Sequence, residues 1–161
     1  MSVSSVTDMA LAIAYWITTS VVVGLLGARL TLGALRSVAR RTWWSAGPTA
    51  RWYRRILRID VWKDKLPEAG RFGGGVSKRR IISRKHSVLE RLYLETVRAE
   101  LVHTVLLAIQ WVPVFWLSPG FIAVPVLYAL VANVPFIAVQ RYNRLRLSRL
   151  VSVDDRWSLD E

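Results

Sequence analysis

The sequence predicts an all-α integral membrane protein with three transmembrane helices, an N-terminal anchor plus a C-terminal helical hairpin, joined by an interfacial amphipathic helix. Three observations lead there. Hydrophobic residues fill 53% of the 161 positions and the mean hydropathy is +0.30, outside the range of ordinary soluble domains. All 23 Lys and Arg fall in residues 29–98 or 141–156, so 1–28 and 99–140 carry neither. Those two stretches hold the apolar runs that are long enough to cross a hydrocarbon core at about 1.5 Å per helical residue.

The first run, Ala10 to Ala28, lacks the basic flank of a secretory signal and is expected to stay as an anchor. The second extends over residues 101–117, where Ser118-Pro119-Gly120 marks a tight turn, and the third over 121–139. Basic residues crowd the loop at 29–98 and the tail at 140–161, while the hairpin turn has none. The positive-inside rule therefore puts the loop and tail in the cytoplasm and the N-terminus outside, in a bacterial inner (plasma) membrane. Pro113, Pro119, Pro125 and Pro135 interrupt the hairpin, so a re-entrant element over 101–139 is the competing topology.

Between the first two spans, RWYRRILRIDVW at 51–62 gathers Trp52, Tyr53, Ile56, Ile59 and Trp62 at helical spacing. Its arginines lie elsewhere on the cylinder, the pattern of a helix in the head-group plane. Periodicity then stops, and the glycines at 73–75 argue against an ordered element. Gly70 and Gly75 have phosphate-loop separation, but Val76 and Ser77 stand where Lys and Ser/Thr belong. Ser87-Val88-Leu89-Glu90 is a capping-box pattern, so a helix is expected to start at Val88 and to enter the second span unbroken.

With no cysteine, disulfide, Fe–S and thiolate chemistry are excluded, and two distant histidines give no metal-ligand spacing. The net charge of +12 would suit nucleic acid in a soluble protein. Here the cations flank membrane spans, where anionic lipid attracts them, and the interleaved aromatics suit the same interface. Membrane lipids, not nucleic acid, are the expected partners. Trp16, Trp43, Trp44, Trp111 and Trp116 read as interfacial or packing residues, His86 with Glu90 as a surface pair, and the acidic tail from Asp154 to Glu161 as solvated.

Polar side chains at membrane depth are costly and tend to be functional. The second span carries Thr96, Glu100, His103 and Gln110 at helical spacing, and the returning span supplies Asn133 and Gln140. Pro135 has no N–H for the carbonyl of Val131, which leaves a backbone acceptor beside Asn133. A carboxylate beside an imidazole can fix its tautomer and make it a general base toward a hydroxyl. Acyl transfer to an alcohol needs that base and donors for an oxyanion. The candidate catalytic residues are thus His103 as base, Glu100 as its orienter and Arg98, with Asn133, Gln140 and Arg144 as further oxyanion donors. Glu95, Asn133, Gln140, Arg141, Asn143 and Arg144 form the candidate substrate-binding set. Interhelical hydrogen bonding alone is the competing account of the same residues.

Four runs, WKDKLPE (62–68), ETVRAELVH (95–103), YALVANVP (128–135) and QRYNRLRL (140–147), resemble the glycosyl-4,4'-diaponeurosporenoate acyltransferases, membrane enzymes of staphyloxanthin-type carotenoid biosynthesis. The resemblance covers about residues 10–150, the first span only in character. It implies esterification of a sugar hydroxyl on a glycosylated carotenoid, or a related glycolipid, with a fatty acyl group. The chain departs from the expected pattern at Thr104, where an aromatic is common, and at Leu145, where proline is. It also lacks the H-x4-D motif of glycerolipid acyltransferases. No bound cofactor is expected; an acyl-CoA or acyl-carrier protein is the candidate donor, whose phosphates Lys78, Arg79, Arg80, Arg84 and Lys85 could attract, with a solvated, lipid-facing charge run as the competing account of those residues. The small size leaves open a homodimer, or a non-catalytic subunit docked to a larger membrane complex; a transporter is disfavoured because no repeat appears.

Overall fold

The computed structural model describes residues 3–41, 47–66 and 86–157, apart from the side chains of 3, 4, 86 and 151–157. The basic cluster at 78–85, the glycines at 73–75, Trp43, Trp44, Pro67 and Glu68 lie outside the described residues, as do the side chains of the acidic tail. Among the described residues the structure is helical, with no strand. Its elements are α1 (Val3–Ala28), α2 (Leu32–Ala39), α3 (Ala50–Arg55), α4 (Ile59–Trp62), α5 (His86–Ile109) and α6 (Ala123–Trp157), with 3-10 turns at Lys63–Lys65, Val112–Phe115 and Pro119–Phe121. Among the described residues, three helical spans are long and apolar enough to cross a membrane: Ser5–Ala28, Ser87–Phe115 and Pro119–Leu150.

The chain forms two compact units, Met1–Arg29 with Leu101–Ile137, and Leu30–Glu100 with Ala138–Glu161. In the first, α1 leaves Leu11, Ile17, Val21, Leu25 and Leu26 exposed. A contiguous apolar surface of that kind is a liability in water, but hydrocarbon is as apolar as leucine and covers it without cost. The opposite side of α1 packs: Ala12, Trp16 and Leu117 are buried with Met9 and Phe121 against them. Trp16 stacks on Tyr128 at 4.2 Å, and Tyr15 meets Trp116 edge-on at 5.7 Å. Gly27 lies so close to Val102 that a Cβ would overlap its Cγ2, so a larger residue here would force the two helices apart.

The second predicted span was expected to be helical to residue 117, yet α5 stops at Ile109. The reason is Pro113, which has no N–H to donate to the Ile109 carbonyl and disfavours helical geometry in the residue before it. The chain tightens into the 3-10 turn Val112–Phe115 instead. The carbonyls orphaned by this change are capped by α1: the Tyr15 hydroxyl donates to Ile109 O at 2.9 Å, and Trp16 Nε1 donates to Gln110 O at 2.8 Å. At its other end α5 begins at His86, two residues before the expected start, and runs unbroken past Leu101. Beyond the apolar run that ends at 139, α6 continues as helix to Trp157, with Pro135 inside it.

In the second unit, Thr31 and Thr49 cap α2 and α3 by accepting from Ala34 N and Trp52 N, which satisfies donors that a helix start leaves open. The single amphipathic helix expected over 51–62 forms as two short ones, α3 and α4. Arg58 between them is left-handed at φ 48°, and that geometry cannot continue a right-handed helix. The break turns Ile59 fully inward while Ile56 stays exposed. Ala50, Tyr53 and Ile59 then form a core with Ala138, Val139 and Tyr142 of α6.

Candidate functional site

In the first unit, four polar side chains from three helices form one continuous chain. Asn133, buried in α6, donates from Nδ2 to the Ala129 carbonyl at 2.9 Å and to Gln110 Oε1 at 2.7 Å. Gln110, buried in α5, donates in turn from Nε2 to Ser20 Oγ of α1 at 3.0 Å. Asn133 Oδ1 faces His103 Nδ1 at 3.1 Å. A backbone carbonyl can only accept, so the atom beside Ala129 O must be the amide nitrogen. Oδ1 is then the acceptor toward His103, the proton sits on Nδ1, and Nε2 carries the lone pair. Phe136 stacks on the imidazole at 4.7 Å and 10°, fixing the ring plane.

This geometry corrects two expectations. The group that orients the imidazole at Nδ1 is Asn133, where the sequence reading had Glu100. Asn133 spends both amide hydrogens on Ala129 O and Gln110, which leaves none to donate to an oxyanion.

In the second unit, Glu100 is 1% exposed and is gripped by two arginines of α6. Arg141 Nε donates to Oε1 at 2.8 Å and Arg144 Nε to Oε2 at 2.9 Å. Two guanidinium bonds, one to each oxygen, compensate the cost of burying this carboxylate. Arg144 is buried, whereas Arg141 is a quarter exposed. Tyr53 adjoins Arg141, and burial pushes its phenol above the ordinary range, partly offset by that guanidinium. Gly47, at φ 136°, brings backbone close to Arg141, where a Cβ would sit 3.4 Å from Nη1.

Arg98 acts locally as a strap. Its Nη2 donates to the Leu30 carbonyl at 3.0 Å, Nη1 pairs with Glu95 at 3.4 Å, and Nε is buried without a partner. Glu90 pairs with Arg36 at 2.8 Å; the side chain of His86, its expected partner, lies outside the described residues. Gln140 and Asn143 are half-buried on α6. Among the described residues no three His, Cys, Asp or Glu side chains converge as a metal site would require.

Sequence reasoning missed Ser20, Tyr15 and Trp16, and also Tyr142, whose hydroxyl donates to Asp60 Oδ1 at 3.0 Å. The α1 donors had a signal: Pro113 orphans a carbonyl at a known position, and a nearby hydroxyl or indole must answer it.

A family model described as glycosyl-4,4'-diaponeurosporenoate acyltransferase matches residues 36–153, most of the chain. The chain belongs to that family. Among its curated relatives, the glycosyl-4,4'-diaponeurosporenoate acyltransferase of Staphylococcus haemolyticus is 37% identical over 106 residues, covering 65% of this chain and 61% of the relative. That of Staphylococcus aureus (strain bovine RF122 / ET3-1) is 33% identical over 97 residues, covering 59% and 58%. The chain thus spans about three fifths of the length of the curated relatives it matches. No solved structure matches. His103, Gln110, Asn133, Glu100, Arg141 and Arg144 all fall inside the family match, whereas α1 with Tyr15, Trp16 and Ser20 precedes it.

Proposed function

We propose that this member of the glycosyl-4,4'-diaponeurosporenoate acyltransferase family transfers a fatty acyl group to a sugar hydroxyl of a glycosylated carotenoid or related glycolipid, with His103 as general base. The observation that carries the role of His103 is the bonding of Asn133, because an amide held by Ala129 O presents only an acceptor to Nδ1. Nε2 then takes the hydroxyl proton as the sugar oxygen attacks the acyl carbonyl carbon. The tetrahedral intermediate collapses with loss of the donor's leaving group, a thiolate for an acyl thioester. The imidazolium returns its proton to that group, and the products are an ester and a free thiol. Asn133 stabilises the imidazolium by dipole alone, a weaker hold than a carboxylate, which suits a base that must stay neutral between turnovers at membrane depth.

The donor on this reading is acyl-CoA or an acyl-carrier protein, and the acceptor enters sideways from the bilayer. The basic residues at 29–98 and 141–156 support a plasma-membrane orientation with the N-terminus outside and the C-terminus in the cytoplasm. The test is reconstitution of the full chain with a long-chain acyl-CoA and a glycosylated carotenoid acid, read by mass spectrometry. The expected result is a product heavier by one acyl group, reduced about 10²- to 10⁴-fold by His103→Ala while the protein still inserts. Undiminished turnover by that variant would sink the assignment of the base.

One observation also favours a second reading. The Ser20–Gln110–Asn133 chain ties three helices together, and such bonds are worth about 0.6–2 kcal/mol each, which would suit a non-catalytic subunit. Absence of product with every donor, together with co-purification of a larger membrane complex, would favour that alternative.

A further inference from the structure

We propose that the apolar groove on α6 in the first unit holds the hydrocarbon body of the glycolipid acceptor, with a sugar hydroxyl donating to the main-chain carbonyl of Val131. The groove has a volume of about 420 Å³, within the roughly 300–1,000 Å³ of small-ligand sites. Val124, Leu127, Tyr128, Val131 and Ala132 line it. Helical spacing explains its shape. Val124, Tyr128, Ala132 and Phe136 follow one another at four-residue intervals along α6 and so form one ridge, in which the small Ala132 leaves a notch between two aromatic residues. Tyr128 is held aside by its stack on Trp16 at 4.2 Å. Phe136, across the notch, stacks on the imidazole of His103 at 4.7 Å. The groove therefore runs along α6 toward the ring that acts as base.

Lipid tails would satisfy an apolar groove; the carbonyl asks for more. Pro135 has no N–H, so the Val131 carbonyl, which points along the helix axis toward residue 135, loses its intrahelical donor. The same loss at Ile109, caused by Pro113, is answered by the Tyr15 hydroxyl at 2.9 Å. Among the described residues no side chain answers Val131 in that way. Val131 is 72% exposed, which lets a donor approach from outside the protein, and hydrocarbon has none to offer. The ligand that meets both demands has a long apolar body and a hydroxyl at its head. The chain of an acyl thioester would fill the groove, but its acyl end has no hydrogen to donate. On the acyl-transfer reading, on which this naming of the occupant rests, the hydroxylated ligand is the acceptor.

Binding is read without turnover, so a failure of the acyl-transfer reading leaves the test intact. The full chain in phosphatidylcholine nanodiscs is photolabelled with octadecyl glucoside carrying a diazirine in its chain, and the labelled peptides are mapped by mass spectrometry. The expected result is saturable labelling centred on residues 124–132. Unlabelled octadecyl glucoside should compete about tenfold better than its per-O-methylated form, which keeps the shape but has no hydroxyl to donate. Pro135→Ala restores an N–H for the Val131 carbonyl and should erase that preference. Ala132→Phe fills the notch and should weaken binding of both forms, whereas Leu26→Phe on the exposed side of α1 changes neither. Ala132→Leu repeats the filling test should the phenylalanine variant fail to insert. Labelling spread evenly over the exposed faces of α1 and α6 would mean ordinary lipid contact and overturn the proposal. So would competition by stearoyl-CoA but not by the glucoside, which assigns the groove to the donor, or loss of labelling in nanodiscs that hold two copies, which assigns it to self-association. A hydroxyl preference that survives Pro135→Ala would overturn it as well.

Discussion

Ser20, Gln110, Asn133 and His103 satisfy one another with neutral dipoles, whereas Glu100, Arg141 and Arg144 do so with full charges. Both sets draw on α5 and α6, and both are largely buried. The neutral set leaves its last member, His103, with a basic nitrogen to offer, because every earlier bond has a fixed donor and acceptor. The ionic set cannot work that way. Each Glu100 oxygen is committed to a guanidinium, and loosening either bond would expose a buried charge.

The sharpest way to break this comparison is Glu100→Ala, which removes the carboxylate from two arginines, one of them buried. The expected cost is about 3–5 kcal/mol, read as loss of folded protein in a thermal melt in nanodiscs. A variant as stable as wild type would show the ionic set to be dispensable. Asn133→Leu comes next. It strands Gln110 Oε1 and His103 Nδ1 at an expected cost of about 1–3 kcal/mol, and ¹⁵N NMR of the imidazole should show the protonated nitrogen no longer fixed at Nδ1. Asn133→Asp, which keeps an acceptor, should restore that preference.

A smaller effect is expected from Tyr15→Phe, which uncaps the Ile109 carbonyl for about 0.5–1.5 kcal/mol. Ser20→Ala should cost less, because an exchanged partner is easily found for an amide hydrogen at the end of the chain. Smallest is the alkaline response of Tyr53. Burial raises its phenol in the folded state, so as pH climbs the unfolded phenol ionises first and unfolding is favoured. The contribution is whole below about pH 10, the ordinary phenol value, and is lost as pH rises through the folded one. Melting curves from about pH 9 to about pH 11 should fall less steeply for Tyr53→Phe than for wild type; equal slopes would show that the hydroxyl is not shielded.

Much of the helical plan was legible. Apolar runs of spanning length and a turn at Ser118-Pro119-Gly120 are local signals, and helices form on either side of that turn; the capping-box pattern at Ser87 located α5 but not its start, since His86 is already helical. The polar residues were legible as a group too, because amide, imidazole and carboxylate groups on apolar helices are conspicuous. Their pairing was not. Glu100 and His103 are three apart on one helix, which makes a contact available but does not choose it over a guanidinium or an amide from another helix. The split of residues 51–62 at Arg58 was equally hidden, since a left-handed arginine leaves no mark on apolar periodicity.

By itself the sequence determined which segments are helical and apolar enough to cross a membrane, because hydrophobic length and cation placement act along the chain. Only the tertiary structure decided that Asn133 faces His103, that two arginines take Glu100, and that Tyr15 and Trp16 cap the end of α5. Those choices depend on which donor and acceptor atoms arrive within about 3 Å of each other, and side chains from separate helices meet only once the helices have packed.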